Sequence, residues 1–106
     1  MVNIKLNIRD PQDKNKIAKT LEVEGYTLMM GTVDDFMEII DLDKIDNEKE
    51  VVGMVLKSYK QLKPLIMDIF PELTNEDYRN ISISDLVAIV PAIGKSIIEN
   101  VKISKN

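Results

Sequence analysis

The chain has 106 residues, 30% of them charged and 44% hydrophobic, as expected of one globular domain with a single modest core. It contains no cysteine and no histidine, which excludes disulfides and thiolate chemistry and removes the commonest general base and metal ligand. The net charge of −4 comes from the first half: residues 1–53 hold seven Lys/Arg against twelve Asp/Glu, and residues 54–106 hold seven against six. An acidic chain repels phosphate backbones, so nucleic acid is not the expected partner. No apolar N-terminal run follows a basic cap, and the longest weakly charged stretch, Ile83 to Ile98, is too short and interrupted to span a bilayer. The expectation is a soluble cytoplasmic domain with no membrane partner.

In chain order, "NIKLNIR" (3–9) alternates Ile4, Leu6 and Ile8 against polar neighbours, the period of a half-buried strand. "DPQDKNK" (10–16) reads as a polar turn or loop. "KTLEVEGYTLMMG" (19–31) reads as a hairpin, with Leu21 and Val23 on one arm, Tyr26 and Leu28 on the other, and Glu24-Gly25 at the turn. At Thr32 the pattern changes. Thr32 is the expected N-cap of a helix whose first turn is acidic, with Val33, Phe36 and Ile40 at helical spacing. Asn47 with Glu50 opens a longer helix, with Val51, Val55, Tyr59, Leu62, Ile66 and Ile69 on one face. Pro64 predicts a kink or a split near residues 61–64.

Pro71 stops that helix, and Thr74 with Asp77 can cap a short helical turn. Ser82 with Asp85 then resembles a capping box, with Ile81 and Leu86 placed as a hydrophobic staple. The fold expected is α+β. A two- or three-stranded antiparallel sheet within 1–31 precedes a bundle of three or four helices over 32–101, and 102–106 form a frayed tail.

Few residues carry chemistry. Asp41 and Asp43 have the spacing of an EF-hand loop, but the next ligand, glycine and bidentate-acid positions are Ile45, Asp46 and Val52. Helix-start acids and a solvated turn account for the cluster better. Ser82 and Ser84 lack a base, and the four glycines make no phosphate cradle. Lys57, Lys60 and Lys63 read as a solvated stripe without interleaved aromatics. The methionines, including Met29, Met30, Met37, Met54 and Met67, read as core filling. No catalytic residue, cofactor or metal ligand is assigned.

The last helix poses a sharper question. On a helical wheel Ile83, Leu86, Val87, Val90, Ile93, Gly94, Ile97 and Val101 form a core face, with Ile98 at its edge. The opposite arc carries Ala88, Ala92 and Ser96 at i, i+4 and i+8, flanked by Ile89, where a water-facing helix would carry Lys and Glu. Either the helix is sandwiched inside its own domain, or the row docks another chain or a second copy. The small size of the domain favours docking, so Ala88, Ile89, Ala92 and Ser96 are the candidate partner-binding residues.

Three segments, "YTLMMGTVDDFMEI", "LKPLIMDIFPELTNEDYRNISISDL" and "VAIVPAIGKSII", give the chain a further reading. With the "FPELT" helix stop and the "ISISDL" helix start, residues 19–100 resemble the tail assembly chaperones of long-tailed bacteriophages and related prophage elements. The resemblance implies a non-enzymatic helper that binds the tape-measure protein and brings tail-tube subunits to it in the host cytoplasm. It also implies absence from the finished virion, and in many members a frameshifted longer form. The alternative from the residues alone is a small helical adaptor or transcription-related regulatory protein.

Overall fold

The computed structural model describes the backbone of residues 3–105 and the side chains of 3–25 and 27–100. Two antiparallel strands, β1 (Asn3–Asp10) and β2 (Asp13–Glu24), form the N-terminal sheet. Their turn is at Pro11-Gln12, not at Glu24-Gly25. Pro11 supplies the fixed φ of a turn position, and the Asp10 carboxylate accepts the Gln12 N–H at 2.9 Å. The predicted loop over 13–16 is therefore strand, and Gly25–Thr27 is a 3-10 turn instead of a second hairpin arm. The side chain of Tyr26, assigned to that arm, lies outside the described side chains. Ile4 pairs with Val23 and Leu6 with Leu21, and the register shifts beyond Ile8. Ile4, Leu6 and Ile8 are buried, as their alternation requires, whereas β2 is exposed along most of its length.

Helix α1 (Met30–Ile39) starts two residues before the predicted cap. Met29 holds the N-cap position without a side-chain hydrogen bond, so Thr32 is already helical and the acids fall beyond the first turn. Phe36 and Ile40 reach the core, with Val33 packed at its edge. A 3-10 turn at Leu42–Lys44 follows, capped by the Asp41 carboxylate on the Asp43 N–H at 2.9 Å. Those two acids thus build a turn. Helix α2 (Glu48–Ile69) begins as predicted, with Asn47 Oδ1 accepting the Glu50 N–H.

Pro64 sits within α2, but the irregular residue is Ser58, at φ −125° and ψ 17°. The proline cannot donate to the Lys60 carbonyl and its ring crowds it. The helical run kinks at Ser58, upstream of the predicted 61–64, and continues regular through Pro64 itself. Val51, Val55, Leu62, Ile66 and Ile69 are buried together with Leu65, but Tyr59 is 54% exposed and leaves the predicted face.

Helix α3 (Asn75–Arg79) is one short turn with a complete Thr74/Asp77 capping box. Helix α4 (Ile83–Lys105) runs through Pro91 and past Val101, where the sequence reading ends it. Val101's assignment to the core face and residue Asn106 lie outside what is described. The apolar face of β1, Phe36 of α1 with Ile40 just past its end, the inner face of α2, and Ile89, Val90, Ile93 and Ile97 of α4 form one continuous core. Full burial of each such side chain contributes about 1.5–3 kcal/mol. Among the described residues no helix is long and apolar enough to cross a membrane.

Candidate partner-binding groove

The start of α4 is fixed from two directions. Ser82 Oγ accepts the Asp85 N–H at 3.0 Å and so caps the helix. The Asp85 carboxylate is taken by a side chain from the other end of the sequence: Arg9 Nε and Nη2 donate to it at 2.8 and 3.1 Å. The Arg9 N–H also donates to the Asn80 carbonyl at 2.9 Å. The Arg9 hydrogen bond holds the Asp85 carboxyl below the ordinary carboxylate range; partial burial opposes the shift and Ser82 adds to it. In α3, Asp77 is lowered in the same way by Lys19, whose Nζ lies 2.9 Å away. These two ion pairs tie the hairpin to the α3–α4 corner.

Farther along α4, Gly94 is buried where the segment preceding α2 crosses it. A Cβ at that position would lie 2.7 Å from Ile45 Cδ1 and 3.3 Å from Leu42 Cδ2. Glycine is needed there for close approach, since its φ is ordinary. Ile45 is seated on Gly94, and Ile83 is at the opposite end of the α4 surface. Between α2 and α4 is an open groove of about 720 Å³. Ile45, Val51 and Val52 line one wall, and Ile83, Val87, Ala88 and Pro91 line the other. Asp46, Glu48 and Lys95 bring charge to it, and Ser84 adds a hydroxyl. Ile83 is 67% exposed. Leu56 and Tyr59, also exposed, continue the line of Val52 along α2 at i+4 and i+7.

The small-residue row of α4 is not one surface. Ala88 is exposed in the groove and Ala92 is half-buried, but Ile89 and Ser96 are each 2% exposed and belong to the protein's own core. The buried arc of α4 is thus displaced from the predicted one. It gains Ile89 and Ser96 and loses Ile83, because β1 covers one side of the helix while α2 covers another. Sequence reasoning missed Val52, Leu56 and Ile83 as surface apolar groups. The available signal was the adjacent apolar pairs Val51-Val52 and Val55-Leu56, which one helix face cannot bury together.

The methionines also divide. Met54 and Met67 pack at the core edge, and Met54 Sδ accepts the Asp41 N–H at 3.3 Å. Met29, Met30 and Met37 are exposed and do not fill the core. In the lysine stripe, Lys57 and Lys60 are solvated, whereas Lys63 Nζ stands 5.6 Å from the centre of the Tyr78 ring. Among the described residues no three His, Cys, Asp or Glu side chains are grouped to hold a metal ion. The groove offers apolar contact with a polar rim. Comparison with protein-family models, with curated proteins and with solved structures finds no match.

Proposed function

We propose that this protein is a non-enzymatic tail assembly chaperone of a long-tailed phage or prophage, which binds the tape-measure protein and helps recruit tail-tube subunits. The observation that carries the reading is the open groove between α2 and α4, an apolar surface lined by Val52, exposed Ile83, Val87 and Ala88, with Leu56 and Tyr59 exposed farther along α2. A long tape-measure helix offers repeated apolar stripes, and an open apolar groove is the surface that helix-in-groove recognition uses. Several copies along one such helix would gain by multivalency without each needing high affinity. The segments that resemble this family include "ISISDL" and "VAIVPAIGKSII", which supply the α4 wall. The same reading places the protein in the host cytoplasm and outside the finished virion.

Co-expression with the tape-measure and tail-tube proteins, followed by co-purification and light-scattering mass measurement, tests the proposal. A stable complex that Ala88→Glu abolishes is the expected result. Failure to co-purify, with the chain folded and soluble, would sink the reading. A complex of this chain with itself alone would assign the groove to a second copy.

A further inference from the structure

A second apolar surface lies on the other side of α2, and its chemistry differs. Met30 and Met37 stand seven residues apart on one flank of α1, 69% and 53% exposed. Beside them Met37 and Met54, with Ile39 and Leu42, line a shallow groove of about 600 Å³. Every charged group lining this groove is an acid: Glu38, Asp41 and Asp43. Asp34, between the two exposed methionines on the helix, and Asp35 are also solvated acids. Among the described residues none of these five carboxylates has a cation within salt-bridge distance. Residues 30–46 carry six acids against the single Lys44, a balance of −5 in a chain whose whole charge is −4. The surface is therefore a methionine strip, which adapts its shape to what it meets, inside a field dominated by acids, with Lys44 the one cation of the 30–46 segment.

We infer that this α1 face docks a cationic amphipathic helix: one apolar stripe with flanking Lys or Arg, laid along Met30, Met37 and Met54. Seven residues of α1 span about 10.5 Å, which matches apolar side chains at i and i+7 of a partner helix. Like charges along the rim would reject an acidic helix of equal hydrophobicity. The inference does not rest on the tail-chaperone reading, because it uses a different face and a different recognition chemistry.

The test uses the full chain and two synthetic helical peptides about four turns long, one of Leu and Lys and one with every Lys replaced by Glu. Binding is followed by calorimetry and by the methionine methyl signals in NMR. The Leu/Lys peptide should bind and shift the methyls of Met30, Met37 and Met54. Raising salt should weaken it, and Asp34→Lys with Glu38→Lys should weaken it about tenfold or more. Both substitutions are on exposed positions, and unchanged circular dichroism checks that the fold is kept. Equal binding of the Glu peptide overturns the inference, as does binding that leaves these methyls unmoved. So does a light-scattering dimer that the same double substitution breaks, which would make the occupant a second copy, for instance through Lys57 and Lys60.

Discussion

Gly94 and Gly53 both sit inside helices, yet the two should answer an alanine substitution with opposite signs. Nothing lies within 4 Å of a Cβ built on Gly53, so Gly53→Ala should stabilise the protein by about 0.5–1 kcal/mol through helix propensity. At Gly94 the new methyl meets Ile45 and Leu42, and overpacking costs about 1–3 kcal/mol against that same gain. Gly94→Ala should therefore lower the denaturation midpoint, and paired urea melts check the difference in sign. Asp85 and Asp77 make a pH prediction. Both carboxyls are depressed in the folded state, so the stability they contribute is complete above their unfolded value of about 3.9. It is lost as pH falls through their lower folded values. Asp85→Asn should thus destabilise the protein at neutral pH, and the gap to the unaltered chain should narrow in strong acid. Urea melts at pH 7 and at about pH 2 measure this directly. The Asp85 cap position was readable from the sequence; its partner Arg9, 76 residues away, was not, because nothing local selects it.

Three of the four α-helix starts were legible in the chain, since capping is decided within four residues; the exception is α1, where Met29 and not Thr32 holds the cap position. Asn47 with Glu50, Thr74 with Asp77 and Ser82 with Asp85 all form the expected bonds to the helix backbone. Ser82→Ala should cost about 1 kcal/mol, the usual loss for a side-chain N-cap, in the same melts. The hairpin was less legible for an equally physical reason. Residues 13–20 face solvent, so they carry no alternation; only their pairing with β1 makes them a strand. Glu24-Gly25 looked like the turn because it separates two apolar pairs, but the Asp10 side chain and Pro11 give a tighter solution upstream. In α2 the kink is at Ser58, six residues before Pro64, and nothing in the local sequence marks that position.

For the whole molecule, the α+β order of sheet then helices was readable, and the orientation of α4 was not. A wheel gives angles around one helix, while the burial centre depends on where β1 and α2 settle against it. That is why Ala88 and Ile89, adjacent in sequence, have opposite fates. Introducing a charge at each separates the two roles. Ile89→Glu should unfold the chain, since an unpaired carboxylate has no place in that core. Ala88→Glu should leave the far-ultraviolet spectrum and melting midpoint nearly unchanged and abolish partner capture. An Ala88→Glu chain that unfolds would move the groove into the interior.

The contact between Arg9 and Asp85 has a kinetic meaning as well. Together with Asn100 donating to the Gly25 carbonyl at 3.0 Å, it joins the hairpin region to a helix made much later, across 76 and 75 residues. On the ribosome the hairpin emerges with its apolar face bare and waits for α4, because long loops must close before such contacts stabilise anything. Until then Ile4, Leu6 and Ile8 lack the α4 side of their cover, so the hairpin's place in the core is set only once α4 has been made.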